Sequence, residues 1–284
     1  MTAGPEPGRE GVAVAREDVE VDALLDAVYR YYGFDFRQYA RPSLRRRLWR
    51  RAAVEGTSTI SGLQERLLHD RACMESLLLD LSINVTAMFR DPSFYVAFRR
   101  TVVPLLRTYP FIRIWNAGCS TGEETHSLAI VLAEEGLLGR TRIYATDINQ
   151  SVLLRAKEGV FPLEQMKAYT ENYQAAGGTR AFSEYYTAGY EGARFDRFLT
   201  EGVVFSRHNL ASDRSFNEFH VIICRNVMIY FDAELQDRVH DLFHESLVRF
   251  GLLGLGQKES ITFTSHGADY VALDQADRIF RKVR

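Results

Sequence analysis

Ile112-Arg113-Ile114-Trp115-Asn116-Ala117-Gly118-Cys119-Ser120-Thr121-Gly122-Glu123-Glu124 is the stretch that decides the fold. Its apolar start reads as a buried strand, its middle as a glycine turn, and the residues that follow as a helix. The same apolar texture returns at Arg142-Ile143-Tyr144-Ala145, Val203-Val204-Phe205 and Val221-Ile222-Ile223-Cys224, with helical stretches after the first, second and fourth of these strands. Strands alternating with helices predict an α/β fold built on a parallel, doubly wound, Rossmann-like sheet. Leu252 to Gly256, Ile261 to Thr264 and Ile279 to Val283 carry no comparable helix and are expected to close the sheet as antiparallel edge strands. Residues 182–202, rich in aromatics, glycine and charge, interrupt the alternation as a short β insertion.

Toward the N-terminus the pattern becomes wholly helical. Val21, Leu24, Leu25 and Val28 recur on one helix face, with Gly33 where a C-terminal cap would stand, and Met74, Leu77, Leu78 and Leu81 repeat that spacing. Residues 43–54 and 60–68 also read as helices. Asp91-Pro92 marks another helix start, since aspartate can cap free amides and proline is tolerated only in the first turn. Residues 1–17 have almost no large apolar side chains and cannot offset the entropy of ordering. The expected organisation is therefore a disordered tail (1–17), a small N-terminal all-helical domain (18–90), a linker helix (91–110) and an α/β domain (111–284) containing the insertion.

Composition narrows the function. A chain of 284 residues, 46% hydrophobic and 25% charged, can bury one substantial core and a smaller one. The formal net charge of -2 argues against binding a polyanion over the whole surface. No segment has the roughly 20 apolar residues of a spanning helix, and the N-terminus lacks a signal-peptide pattern. Cys73, Cys119 and Cys224, odd in number and widely spaced, make neither a disulfide framework nor a zinc knuckle. A cytoplasmic protein, not embedded in a membrane, is expected.

Glycines at 118 and 122 let backbone approach a ligand at the carboxyl edge of the sheet, where doubly wound folds bind nucleotides. The second strand ends at Asp147, placed to accept hydrogen bonds from ribose hydroxyls. Read alone, these residues are also consistent with a plain glycine turn and a capping aspartate. A dinucleotide-binding oxidoreductase is the main rival, but the loop lacks GxGxxG spacing. Glu123 and Glu124 stand where a diphosphate would sit and would repel it, whereas a sulfonium cofactor without phosphate is tolerated. S-adenosylmethionine is favoured over NAD.

Three segments extend this reading. Asn84-Val85-Thr86-Ala87-Met88-Phe89-Arg90, Ser120-Thr121-Gly122-Glu123-Glu124 and Arg225-Asn226-Val227-Met228-Ile229-Tyr230-Phe231 resemble, in order, the NxTxFFR, STGEE and RNVxIYF segments of CheR-type chemoreceptor glutamate methyltransferases. The resemblance covers nearly the whole chain after the tail. It implies a class I methyltransferase sheet and an enzyme, a protein-glutamate O-methyltransferase that leaves S-adenosylhomocysteine as product. By position it implies that Asn84, Thr86 and Arg90 contact the cofactor, that Glu124 shares the pocket, that Asp147 holds the ribose, and that Asn209, Leu210, Arg225 and Asn226 complete it. Met88 departs from the family's aromatic, and Thr125-His126 stand where proline and tyrosine are common.

The implied chemistry is attack of a glutamate carboxylate on the sulfonium methyl. A carboxylate with a pKa of about 4.3 is already ionised near neutrality, so no general base is needed, and the lack of a Ser/His/Asp set fits. Arg90 and Tyr230 are the expected catalytic pair, orienting either the acceptor glutamate or the cofactor's carboxylate. Arg37, Arg41, Arg45, Arg46, Arg47, Arg50 and Arg51 concentrate positive charge with no acid among them. Of these, Arg41, Arg45, Arg46 and Arg50 are expected to dock a glutamate-bearing chemoreceptor or related signalling protein.

A solvated helix face is the plainer reading of that charge. Nucleic-acid binding is not expected, since Cys224-Arg225-Asn226-Val227 occupies the place of the Asp/Asn-Pro-Pro-Tyr/Phe segment of amino-methylating DNA enzymes. A non-catalytic module that senses S-adenosylmethionine is disfavoured by Arg90 and Tyr230. His240 and His244 lack a third ligand in sequence, so no metal is expected. The insertion looks short for gripping a receptor tail, so tail tethering is not expected, and the chain is expected to act as a monomer.

Overall fold

The computed structural model describes residues 11–81, 86–262 and 264–284, with side chains from Arg16 onward. The chain divides into two compact units, Met1–Ile83 and Asn84–Arg284.

The first unit holds four helices: α1 (Gly11–Tyr32), α2 (Arg41–Val54), α3 (Ile60–His69) and α4 (Arg71–Leu81). Val21, Leu24, Leu25 and Val28 of α1 are buried, as are Leu44, Leu48, Leu63, Leu67, Met74 and Leu77 of the helices around it. This is the outcome of a one-face apolar stripe. Gly33 takes the left-handed conformation at φ +77° and donates to the Tyr29 carbonyl, ending α1. Helix α1 begins at Gly11, so residues 11–17 are helical and not part of a tail, while residues 1–10 of the expected tail lie outside the described residues. The helix gains anchors there that composition does not reveal: Glu17 accepts from the Trp49 indole, and Asp18 pairs with Arg45.

The same pairing changes the meaning of the arginine run. Arg41 meets Asp22 at 2.6 Å, Arg51 meets Asp80 at 2.5 Å and also Glu55, and Arg37 grips Asp35. Arg47 is buried and donates to the Leu81 carbonyl. Acids thus pair with three of the six arginines of α2, Arg41, Arg45 and Arg51, and Arg46 and Arg50 stand exposed.

The second unit opens with α5 (Pro92–Ala97), a π turn (Phe98–Val102) and α6 (Val103–Leu106). Phe94, Tyr95, Phe98, Val102 and Leu106 pack into one core with Ile112, Ile114, Val221 and Leu252, so this stretch lies inside the second unit. There follow β1 (Ile112–Ala117), α7 (Glu123–Glu134), β2 (Thr141–Asp147), α8 (Gln150–Glu158), β3 (Val160–Phe161), α9 (Met166–Ala175), β4 (Tyr186–Gly189), β5 (Gly192–Phe195) and β6 (Val203–Arg207). The chain closes with β7 (Phe219–Cys224), α10 (Ala233–Ser246), β8 (Leu247–Leu255), β9 (Tyr270–Asp274) and β10 (Ile279–Lys282).

Seven strands form one sheet in the order β6-β2-β1-β7-β8-β10-β9. The pairs from β6 through β8 are parallel, and β10 runs antiparallel to both β8 and β9. Two expectations are corrected. Leu252 to Gly256 was expected at an antiparallel edge, but β8 is parallel to β7, because α10 supplies the crossover that returns the chain in the same direction. The other edge strand is Tyr270–Asp274, whose largely exposed residues give no apolar run to read; the stretch Ile261 to Thr264 expected there includes residue 263, which lies outside the described residues. The insertion forms a second, antiparallel sheet in the order β3-β5-β4, whose strand Val160–Phe161 is too short to show a period.

Helix α1 carries the core of the first unit, so Leu24→Ala is expected to destabilise that unit by about 2–5 kcal/mol. The check is a lower urea midpoint followed by circular dichroism at helical wavelengths; an unchanged midpoint would contradict this packing.

Candidate functional site

Strand β1 lies between β2 and β7, so the chain leaves in opposite directions on its two sides and a crevice opens at the carboxyl ends of these strands. The loop from β1 into α7 fills its floor. Gly118, Ser120 and Gly122 adopt left-handed φ of +74°, +50° and +94°. A Cβ on Gly122 would stand 2.8 Å from the Ala156 Cβ, so only glycine lets α7 start this close to α8. The Gly118 and Cys119 amides donate to the Thr146 carbonyl at 2.8 and 2.9 Å, tying the loop to the end of β2. Buried His126 donates from Nδ1 to the Gly122 carbonyl at 2.9 Å and fastens the loop from behind. Burial pushes its pKa down to about 4, so the ring is neutral.

Asp147 ends β2, buried beneath this loop. Its carboxylate accepts from the Ser120 amide (3.0 Å) and the Asn149 amide (3.0 Å). Burial pushes the carboxyl above the ordinary range, against the pull of those amides. The His208 amide donates to the Asp147 carbonyl at 3.1 Å, which brings Asn209, just past β6, to the same edge. Asn209 Oδ1 accepts from the Ala211 amide, but Nδ2 is buried with no hydrogen-bond partner among the described residues. A buried unpaired donor is costly. Its chemistry, beside a carboxylate and a glycine loop, fits an adenosyl group that offers ring-nitrogen acceptors and ribose hydroxyls. Leu210, next along, is half-buried.

The other side of the crevice is organised by Arg225, at the end of β7. Its side chain is 1% exposed. Nη1 donates to Glu124 Oε2 at 2.8 Å, while Nη2 donates to Asp91 Oδ2 at 2.8 Å and to the Arg90 carbonyl at 3.0 Å. The guanidinium lies 4.2 Å from the Phe94 ring centroid. Burial works against its charge, but Glu124, Tyr95 and Asp91 outweigh it and hold it protonated. Asn116 donates to Glu124 Oε1 at 2.8 Å, so each oxygen of that carboxylate has a partner.

Two inferences from sequence change here. Asp91 does not cap α5: it sits in the left-handed region at φ +54° without a side-chain cap bond, because its carboxylate serves Arg225. The repulsion expected from Glu123 and Glu124 is reduced, since Glu124 is neutralised by Arg225 and burial pushes the Glu123 carboxyl up.

Phe89 and Asp91, either side of Arg90, are both left-handed, and the Phe89 amide donates to Ser127 Oγ at 2.9 Å. That strain fixes where half-buried Arg90 leaves the chain. Thr86 is half-buried nearby in sequence, and Asn84 lies outside the described residues. Asn226 is also left-handed, and Tyr230 closes a short 3-10 turn, Met228–Tyr230.

One residue here escaped the sequence reading. Glu259 is buried and accepts from the amides of Asn226, Val227, Met228 and Gly256. It lies in a polar stretch just past β8, and its only visible signal was a glycine three residues before it.

Away from this edge, His244, Asp269 and His266 approach closely enough to invite an ion. The two imidazoles, however, are stacked 3.9 Å apart and 4° from parallel. Ring nitrogens bind metals in the ring plane, and no point lies in two stacked planes. His266 is instead held between Asp269 and Asp241. His240 is buried, and burial pushes it down to about 4.

Residues 20–82 match the model of the CheR methyltransferase all-alpha domain, and residues 84–275 that of the CheR methyltransferase SAM-binding domain. The chain is 50% identical over 265 residues to the Pseudomonas putida protein Cher3, covering 93% of this chain and 97% of that one. It is 30% identical over 260 residues to the chemotaxis protein methyltransferase of Listeria monocytogenes, covering 89% and 94%. Against the Escherichia coli chemotaxis protein methyltransferase it is 29% identical over 279 residues, covering 92% and 93%.

Two outcomes follow from this geometry. Arg225→Ala leaves two carboxylates without their cation and is expected to cost about 3–5 kcal/mol in a chemical denaturation series; a loss below about 1 kcal/mol would refute the network. His126 and His240 have folded-state pKa values near 4 against 6.5 for an unperturbed ring, so the unfolded chain takes up their protons first. The stability they contribute is complete above about pH 6.5 and is lost as pH falls toward about 4. A melting-temperature series should show that fall, shallower in His126→Gln.

Proposed function

The chain belongs to the CheR methyltransferase family, and we propose that it transfers the methyl group of S-adenosylmethionine to glutamate side chains of a methyl-accepting chemoreceptor or related signalling protein. The products are glutamate methyl esters and S-adenosylhomocysteine. Methyl transfer dependent on S-adenosylmethionine is the family's activity; the acceptor is the finer reading, drawn from the names of relatives that are chemotaxis protein methyltransferases.

The observation that carries the cofactor half is the unpaired, buried amide of Asn209 at the same edge as Asp147. Bound there, S-adenosylmethionine supplies an activated methyl on a cationic sulfur. Asp147 accepts from ribose hydroxyls, Asn209 donates to the base, and Leu210 gives an apolar contact. Glu124 and Arg225 form a wall of the pocket, and Asn84, Thr86, Arg90 and Asn226 complete it. No side chain need remove a proton, because the acceptor carboxylate is already ionised near neutrality. The protein's task is alignment and exclusion of water, worth about 7–11 kcal/mol where geometry is good. Arg90, with a two-pronged guanidinium, and Tyr230, with a hydroxyl donor, are the residues suited to that alignment.

The acceptor docks through α2. Arg46 and Arg50 stand exposed, and Arg41 and Arg45 reach the same surface by exchanging Asp22 and Asp18 for acceptor carboxylates. Among the described residues no helix is long and apolar enough to cross a membrane. A monomer acting in the cytoplasm on receptors anchored elsewhere is the arrangement we infer, without metal or nucleic acid.

Incubation with radiolabelled methyl donor and receptor-bearing membranes is expected to label a protein band that releases volatile methanol in alkali. Label stable to alkali would overturn the ester. Arg90→Ala is expected to lower turnover about 100-fold or more, and Arg46→Glu with Arg50→Glu to raise the KM for receptor several-fold while sparing cofactor affinity. An unchanged KM would sink the docking role.

A further inference from the structure

Glu259 presents an arrangement that the reading above does not use. Its Oε1 accepts from the Val227 amide at 2.9 Å and the Met228 amide at 2.8 Å, and its Oε2 from the Asn226 amide at 3.1 Å and the Gly256 amide at 2.6 Å. One carboxylate therefore holds four backbone donors from two segments, the turn after β7 and the end of β8. The approach depends on glycine: a Cβ on Gly256 would stand 2.7 Å from Glu259 Oε2 and 2.8 Å from the Asn226 amide. The turn it grips is strained, with Asn226 at φ +61°, a conformation that persists only when its surroundings over-determine it. Gly118 approaches from the opposite side, where an added Cβ would collide with the Val227 side chain.

We infer that Glu259 is a positioning residue for methyl transfer: its carboxylate locks the Asn226–Met228 backbone and so fixes the bearing of Asn226 and Tyr230 on the crevice. The inference rests on the assignment of those two residues to the site. The chemistry selects a carboxylate over every other side chain. Four converging N–H groups need two oxygens with all lone pairs available. A glutamine of the same shape would turn its own amide N–H groups against two of the donors, and a hydrophobic replacement would leave all four buried and unpaired. The anchor touches the turn only through backbone, so it constrains direction without occupying the crevice. A displacement of about 1 Å in such a segment is enough to lower turnover about 100-fold.

The test uses the full-length protein as wild type, Glu259→Gln, Glu259→Asp and Gly256→Ala. Five quantities are read: melting temperature, calorimetric affinity for S-adenosylhomocysteine, kcat and KM on receptor-bearing membranes, and hydrogen exchange of backbone amides. Glu259→Gln is expected to lower kcat about 10- to 100-fold with KM for receptor near wild type. Exchange should accelerate at Asn226, Val227 and Met228 and not along β1. Glu259→Asp, which keeps the charge on a shorter arm, should recover part of kcat, and Gly256→Ala should reproduce the Gln pattern by displacing the carboxylate.

Wild-type kcat and protected amides in Glu259→Gln would overturn the role. So would equal losses in Gln and Asp with exchange raised throughout the domain, the mark of a packing residue. If Glu259→Gln does not fold, the Asp and Gly256→Ala variants decide by the same two readouts. A wild-type protein that neither binds S-adenosylhomocysteine nor transfers label would overturn the underlying site assignment as well.

Discussion

A guanidinium with almost no access to water is the interaction on which the second unit's functional edge depends. Arg225 is anchored at the end of a central strand, and its two terminal nitrogens reach Glu124 at the start of α7 and the Arg90–Asp91 backbone and side chain ahead of α5. Three stretches that are distant in sequence are thereby held at one point. Burying a charge this deeply is costly unless every donor finds an acceptor of opposite sign. Glu124 and Asp91 meet that demand at the two terminal nitrogens, and Phe94 lies against the guanidinium, while Nε stays buried without a partner among the described residues. Neither carboxylate can change partner without leaving the cation exposed to an apolar surrounding, which makes the geometry rigid.

The same economy governs the opposite side of the crevice. Asp147 is not a solvated acid waiting at a strand end; loop amides fix it and burial raises its pKa. The amides of Gly118 and Cys119, turned by left-handed backbone, bind the Thr146 carbonyl and leave the loop little freedom. His126 supports this from beneath as a neutral ring, so its single ring proton has a defined place. Rigidity on both sides suits a reaction in which alignment, and not proton transfer, limits the rate.

Much of this was legible in the sequence, and the limits have physical reasons. The apolar runs at Ile112 and Val221 marked their strands because central strands buried on both faces lose the polar alternation and become continuous; Ile143 and Val203 were read from shorter apolar runs, the latter on the half-exposed edge strand β6. Tyr270–Asp274 and Val160–Phe161 were missed for the opposite reason: an exposed edge strand and a two-residue strand carry no such run. The glycine loop and Asp147 were visible as residue types at a spacing. The capping role expected of Asp91 was wrong because a local rule met a long-range partner, Arg225, that one-dimensional spacing cannot display. The arginines of α2 were read as unbalanced for the same reason: Asp18, Asp22 and Asp80 are remote in sequence and adjacent in space. Glu259 shows the limit most clearly, since its partners are backbone amides and Gly256 is the one trace they leave in residue identity.

The order in which the chain is made gives the last of these contacts a separate meaning. The glycine loop and Asp147 precede position 150, but the turn bearing Asn226 and Tyr230 has its anchor only at position 259. A chain growing from its N-terminus can complete the glycine loop, Asp147 and even Arg225 while that turn still lacks its acceptor. A chain that has folded its central strands but lacks position 259 would leave the amides of Asn226, Val227 and Met228 without that acceptor.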